Sequence, residues 1–174
     1  MTPRVDRLPR LLPALALTLG LGSCGDPDPE QAAEELAARK QAVTAELRDM
    51  ATTLTGEGLA VERAQGRVES GGMSTYRSED YLVSAVVVGE GDEDELVDRT
   101  ATALEEAGWT RTSDGLDADQ PWAQLERDDF RTTISWTRHG ERELVLSLDQ
   151  DGEVEVPEDT DPVDRDDAED IPLD

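Results

Sequence analysis

The residues that could carry covalent chemistry are few, and they stand far apart in the sequence. Cys24 is the only cysteine of the 174 residues, and His139 is the only histidine. A cysteine nucleophile works with a base beside it, commonly histidine, and a disulfide within the chain needs a second cysteine. The stretch around Cys24, LGSCGD, supplies neither, and His139 falls in a predicted turn. Covalent attachment therefore explains Cys24 better than catalysis, a disulfide or metal binding.

One acidic stretch could bind a metal ion. Residues 147–158, SLDQDGEVEVPE, resemble the calcium loop of an EF-hand, with Asp149 and Asp151 at its third and fifth positions, Gly152 at the sixth and Glu158 at the twelfth. Ca²⁺ prefers carboxylate oxygens that a sharp turn brings together. The first position is serine, however, and both flanks are predicted strands. The same letters fit a β-hairpin closed by Asp151-Gly152, so a Ca²⁺ site and a hairpin both stay open.

Other signatures of enzymes are missing. The sequence contains no glycine-rich phosphate loop, no Gly-x-Ser-x-Gly elbow and no His-Glu-x-x-His zinc motif. Carboxylates are so numerous that no pair is distinguished as an acid and a base, which leaves a small hydrolase only as a remote alternative. We expect no catalytic residues and no enzyme.

The charge balance excludes several kinds of partner. The chain has 42 acidic and 16 basic residues, a formal net charge of −26. Proteins bind nucleic acid by neutralising phosphates with lysine and arginine, and anionic headgroups attract basic segments in the same way. We therefore expect no nucleic-acid partner and no direct adsorption to anionic lipid, and we expect a monomer.

The N-terminus has the pattern of a secretory signal peptide. Arg4, Arg7 and Arg10 precede an apolar run over residues 11–22, and small residues follow it. That run is too short to span a bilayer, which takes roughly 20 helical residues.

The sequence Leu21-Gly22-Ser23-Cys24 resembles the lipobox of bacterial lipoproteins. The resemblance implies cleavage before Cys24, a diacylglycerol thioether on its sulfur, and acylation of the new amine. One acyl chain anchors a protein only marginally, whereas two or three hold it firmly. The resemblance thus predicts a lipid anchor at the extracytoplasmic face of the cell membrane.

Composition divides the chain into four segments. Residues after the cysteine are rich in proline and aspartate, which suits a short spacer. Residues beyond Val156 combine like charges with three prolines, so we expect disorder there and a folded domain that survives truncation at Pro157. The predicted segments are a signal peptide (1–23), a lipidated spacer (24–30), an α+β domain (31–156) and a disordered acidic tail (157–174).

Two helices are predicted from apolar spacing and end signals. The first covers residues 29–54. The second begins after Asp92, which with Glu95 forms an Asp-x-x-Glu capping pattern, and ends at Gly108. The apolar face of the first helix consists of Leu36, Val43, Leu47, Met50 and Leu54.

Strands are predicted over residues 59–72 and 81–91, and a meander of three to four strands follows residue 109. A two-residue turn at Asp128-Asp129 would place Ala123 opposite Ile134. A three-residue loop over 138–140 keeps Leu144, Leu146 and Leu148 on the apolar face, because a slip of one residue would reverse every side chain. That loop predicts Ile134 opposite Leu144 and Phe130 opposite Leu148.

The predicted fold class is α+β, with an N-terminal helix, two strands, one capped helix and an antiparallel meander, and with the helices on one face of the sheet. This order is similar to that of small, uncharacterised actinobacterial lipoproteins of the LppA-like kind, many of which carry a cysteine pair that this chain lacks. The predicted core is Val83, Val87, Leu104, Ile134, Trp136, Leu144 and Leu146, with Trp109 closing one end.

Two functions follow from these observations. The first is a membrane-anchored, non-catalytic binding or accessory module of the cell envelope, which meets an envelope protein or a small ligand. The second is a Ca²⁺-responsive surface module that uses Asp149, Asp151 and Glu158.

Overall fold

The fold is that of a computed structural model, which describes residues 27–71, 77–117, 120–137, 141–157 and 168–173. The predicted signal peptide, the lipobox with Cys24, the 138–140 loop with His139, and Glu158 lie outside these ranges.

The described residues form two helices and one antiparallel sheet, which confirms the α+β class. In chain order the elements are α1 (Pro29–Gly56), β1 (Ala60–Gly71), β2 (Arg77–Val88), α2 (Glu93–Glu106), β3 (Thr110–Asp117), β4 (Gln120–Arg127), β5 (Phe130–Trp136), β6 (Leu144–Gln150), β7 (Val154–Val156) and β8 (Glu169–Asp170).

Helix α1 begins where its end signals are. Asp28 is the N-cap, and its Oδ1 accepts a hydrogen bond from the Glu30 amide at 2.9 Å. Pro29 occupies the first turn, where its missing N–H costs nothing. The helix therefore includes the last two residues of the predicted 24–30 spacer, and the domain begins at the cap rather than at residue 31.

Helix α2 confirms the capping prediction at both ends. The Asp92 side chain accepts a hydrogen bond from the Glu95 amide at 2.9 Å. Gly108 follows the helix with φ 95°, a left-handed conformation that glycine adopts without a steric penalty.

The strand order is β3-β4-β5-β6-β2-β1-β8, and β7 also pairs with β2. Helix α1 lies against β1, β2, β6 and β7, while α2 lies against β3, β4 and β5. The two helices also contact each other, so both cover the same face of the sheet. All the predicted core residues belong to the single large cluster between helices and sheet, although Trp136 is only partly buried there.

The predicted strand register is correct on one side of β5 and wrong on the other. Ala123 lies opposite Ile134 between β4 and β5, as the two-residue turn requires. Between β5 and β6, however, Ile134 pairs with Leu146 rather than with Leu144. The error is two residues, which leaves the apolar face unchanged because side chains alternate with a period of two. The Thr137 amide donates to Glu143 O at 2.9 Å, so the connection is longer than three residues.

The predicted hairpin after β6 is also wrong. Both β6 and β7 pair with β2, and neither pairs with the other. Residues 151–153 therefore interrupt the pairing along β2 and do not reverse the direction of the chain. Gly152 does adopt the left-handed conformation expected of a turn glycine, with φ 86°, but no hairpin forms there. Pairing with β2 therefore overrides the turn chemistry of Asp151-Gly152.

The tail prediction is wrong for residues 168–173. Strand β8 pairs with Gln65 and Gly66 of β1, and Ile171 is only 8% exposed within the main core cluster. Leu173 packs against the same cluster. Removal of everything beyond Pro157 would therefore uncover apolar side chains, contrary to the expectation that the tail is dispensable.

A pair of charged substitutions on β6 tests which face is buried. Leu144 is 1% exposed on the helix side, whereas its neighbour Val145 is half-buried on the opposite side. Leu144→Asp should cost more than about 4 kcal/mol of unfolding free energy, since it buries an unpaired charge. Val145→Asp should cost about 1 kcal/mol. Urea unfolding of both variants measures the difference, and equal losses would contradict the assigned face.

Candidate functional site

Two neighbouring rows of side chains on the face of the sheet opposite the helices form the patch that we call the open face; the next row on the same face, through Glu126, Arg131 and Asp149, is charged. Side chains on neighbouring strands stand directly opposite one another, so the strand pairing defines each row. The first row, from β3 to β1, is Gly115, Trp122, Ser135, Val145, Val86 and Arg63; the second is Ser113, Gln124, Thr133, Ser147, Ser84 and Gln65.

The open face is almost uncharged. Arg63 is the one ionised side chain among its twelve positions, and it forms an ion pair with Glu143. Val86 is only 8% exposed although no described helix covers it, and it belongs to neither core cluster. The open face therefore combines hydroxyl, amide and apolar groups in a chain of net charge −26.

Charges beside the open face neutralise each other. Arg131 of β5 lies within 3.3 Å of Asp149 and 3.5 Å of Asp151. Burial raises the pKa of the Asp149 carboxyl above its ordinary value, and the Arg131 charge opposes that rise. On the far side, Arg67 pairs with Glu69 at 2.6 Å.

In the loop considered as a Ca²⁺ site, an arginine side chain binds the backbone oxygens. Arg39 of α1 reaches the break between β6 and β7, where its Nη1 donates to Gln150 O at 2.6 Å and to Gly152 O at 2.7 Å. Its Nη2 donates to Asp151 O at 3.1 Å. Backbone carbonyls of this kind are ligands that Ca²⁺ would use, and here the guanidinium takes them.

Arg39 also holds a carboxylate on β2. Its Nη1 lies 2.9 Å from Asp80 Oδ1, and only 9% of the arginine side chain is exposed. Burial raises the pKa of Asp80, while the bonds from Arg39 and from the Tyr81 amide lower it. The cluster is a partly buried ion pair in which Asp80 Oδ1 accepts from both Arg39 and the Tyr81 amide, which suits a structural role.

The predicted metal ligands do not converge within the described ranges. Asp149 and Asp151 share Arg131, and Glu158 lies outside those ranges. No three His, Cys, Asp or Glu side chains among the described residues are placed to hold one ion.

Another carboxylate with a raised pKa lies at the junction of the two helices. Burial raises the pKa of Glu46, which is ion-paired with Arg127. Arg127 also donates to Ala107 O at 3.2 Å and lies 5.0 Å from the centre of the Trp109 ring. These contacts join α1, the end of α2 and β4, so they account for the charges without a substrate.

A second candidate site lies at the outer edge of β1, where residues 168–173 bind; we call these residues the strap. Glu169 accepts hydrogen bonds from Lys40 Nζ at 2.6 Å and from the Tyr81 hydroxyl at 2.8 Å. The hydrogen bond from Lys40 lowers the pKa of Glu169, and burial raises the pKa of Tyr81. One signal for this site is present in the sequence, the apolar Ile171-Pro172-Leu173 within an acidic tail, but the tail's like charges predicted disorder there.

The cavities described in the structure lie beside α2, and one of them reaches the end of the open face at Gly115 and Trp122. One of about 260 Å³ opens between α2 and the β3–β4 strands, and one of about 490 Å³ lies between the start of α2 and Trp136. A third, of about 220 Å³, is lined by Glu57, Arg99 and neighbouring residues of α2. All three are shallow and open to solvent, and none places a pair of carboxylates with raised pKa around one enclosed space.

Comparison with known proteins gives no relative. No protein-family model matches the chain, and no curated protein or solved structure matches it significantly. Neither helix in the part of the chain that the structure describes has the length and apolar composition needed to cross a bilayer. The lipobox and the LppA-like resemblance therefore stay predictions from the sequence.

Thermal melting with divalent cations tests the loop at residues 149–151. Because Arg39 and Arg131 already bind its oxygens, millimolar Ca²⁺ should raise the melting temperature no more than Mg²⁺ does. The double variant Asp149→Asn/Asp151→Asn should respond to both ions as the wild type does. A rise specific to Ca²⁺ that disappears in the double variant would establish the calcium site instead.

Proposed function

We propose that this chain is a lipid-anchored, non-catalytic binding module at the extracytoplasmic face of a bacterial cell membrane, and that it meets its partner through the open face. The lipobox Leu21-Gly22-Ser23-Cys24 supports the anchor and the address, with the diacylglycerol thioether on Cys24 as the attachment. The acidic composition supports a partner other than nucleic acid.

The uncharged open face is the observation that carries the binding role. Carboxylates stand in the next row of the same sheet face, at Glu126 and Asp149, yet the twelve positions of the open face include none. A patch of this size that serves only solubility would be expected to include carboxylates, since 42 of the 174 residues are acidic. An uncharged, half-buried patch is the kind of surface that protein partners cover.

The shape of the open face favours a protein partner over a small ligand. Small molecules bind in concave sites that enclose most of their surface. The open face is formed by six adjacent strands, about 24 Å across at ordinary strand spacing. We propose an envelope protein with a complementary uncharged patch.

A non-catalytic role is supported by the pairing of the unusual carboxylates. Glu46, Asp80 and Asp149 have raised pKa values, and each contacts an arginine, although Asp80 and Asp149 lie near each other. Burial alone raises the pKa of Glu79. The Ca²⁺-responsive module stays the alternative, and the melting experiment with Ca²⁺ and Mg²⁺ decides between them.

Replacement of the cysteine tests the anchor. Cys24→Ala removes the sulfur that would carry the diacylglycerol, so the protein should leave the membrane fraction or remain as a larger precursor. Fractionation and detergent partitioning of intact cells measure this, with Ser23→Ala as a control that keeps a small residue before the cysteine. Unchanged partitioning of Cys24→Ala would contradict lipidation.

Site-specific crosslinking tests the open face. A photoreactive residue in place of Ser147, at the centre of the second row, should capture one envelope protein in intact cells. The same residue in place of Thr102, exposed on α2, provides the control on the helix side. Ser84→Asp should then reduce capture from position 147, since it adds a charge beside it. Equal capture from both positions, or capture insensitive to Ser84→Asp, would show that the open face is not the contact surface.

A further inference from the structure

The strap is bound as a short peptide ligand would be bound. Its backbone adds to the edge of β1 as an antiparallel strand, with the Ile171 amide donating to Ala64 O at 2.9 Å. Ile171 fills an apolar position and is 8% exposed. Strand addition with alternating side-chain pockets is a common mode of peptide recognition.

Charge complementarity adds to the fit of the strap. Lys40 and Arg48 of α1 face it, and Lys40 binds the Glu169 carboxylate while Arg48 Nε donates to Pro172 O at 3.2 Å. Lys40 is the only lysine of the chain. The site therefore presents cationic side chains to an acidic peptide within a strongly acidic protein.

The backbone around Tyr81 also shapes the site. A Cβ on Gly66 would lie 1.8 Å from the Tyr81 hydroxyl, so only glycine lets the tyrosine cross β1 and reach Glu169. Tyr81 is 1% exposed. A buried hydroxyl is thus aimed at Glu169, while Gln65 Nε2 of β1 donates to the second carboxylate of the strap, Asp170, at 3.0 Å.

We propose that the strap site is an exchange site, which binds residues 168–173 of a second copy of this chain in place of the chain's own strap. Every contact of the strap is made within six residues, and ten residues of sequence separate Pro157 from Ala168. A second copy offers the same six residues and the same contacts. Exchange of an identical element between copies needs no new interface.

The covalent connection through residues 158–167 favours binding of the chain's own strap. A short linker gives the chain's own strap an effective concentration of about a millimolar, so the internal strap wins in dilute solution. Exchange becomes favourable where the copies are crowded or where the internal contact is weakened.

A charge-swap experiment tests the exchange with two surface substitutions. Lys40→Glu and Glu169→Lys are made in separate full-length chains in detergent, with the detergent in excess over the protein. Both side chains are roughly half exposed, so either variant should keep a cooperative melt. Each variant alone opposes like charges at the strap site, within a chain and between identical chains.

A mixture of the two variants restores opposite charges only between different chains, in both directions. Sedimentation of the mixture at about millimolar chain concentration should show a heterodimer at a level about tenfold above the dimer of either variant alone. The matched control carries both substitutions in one chain, which restores the internal pair; because the internal strap then competes, it should form less dimer than the mixture does and no more than the wild type does. A mixture that sediments as the sum of its two monomers would overturn the proposal.

A synthetic peptide provides an independent measurement. Ile171→Asp in the full-length chain removes the apolar anchor of the strap and should leave the site open. The labelled peptide AEDIPLD, the sequence of residues 168–174, should bind this variant at least about tenfold more tightly than it binds the wild type, whose site is filled. Equal binding to both chains, or no binding to either, would show that the site does not accept the strap from outside and would overturn the proposal.

Discussion

The guanidinium of Arg39 holds α1 to the sheet at the point where the edge of β2 changes partner from β6 to β7. Three successive carbonyls, of residues 150–152, accept hydrogen bonds from it there, the first of them in a partly buried position. The arginine satisfies them and binds Asp80 as well. Because α1 is fixed at this point, its apolar face lies over β1, β2 and β6, and its outer side presents Lys40 to the strap.

Local signals in the sequence determined the helices and the buried faces, but not the pairings that depend on distant segments. The cap at Asp92 and the stop at Gly108 are chemistry within a few residues, and both are confirmed. The alternation of side chains along β6 determines which face Leu144 lies on. Its partner on β5 depends on the length of the connecting loop, which was predicted two residues too short. Residues 151–152 carry a hairpin turn signal, but β7 pairs with β2 instead of with β6. The acidic composition of the tail predicted disorder, although Ile171 is part of the core cluster.

The candidate sites divide the surface by charge. Paired ions stand beside the open face, whose one charged residue, Arg63, is itself paired with Glu143, and Lys40 and Arg48 of α1 face the strap at the edge of β1. A partner that approaches a domain of net charge −26 meets repulsion from most directions unless it is basic. The proposed contact surfaces are the open face, which carries no carboxylate, and the strap site, where Lys40 and Arg48 face the strap; motifs of reactive residues indicate neither.

The single lysine of the chain lies beside the strap, so chemical modification of that lysine can be used to follow strap binding. Lys40 is the one side-chain amine in the protein, and its Nζ is held 2.6 Å from Glu169 while the strap is bound. An amine-directed acylating reagent therefore has one side-chain target, which becomes more accessible when the strap leaves and the contact with Glu169 is lost. The difference in the acylation rate of Lys40 between the wild type and a chain whose strap is released reports strap binding, in whole cells as well as in solution.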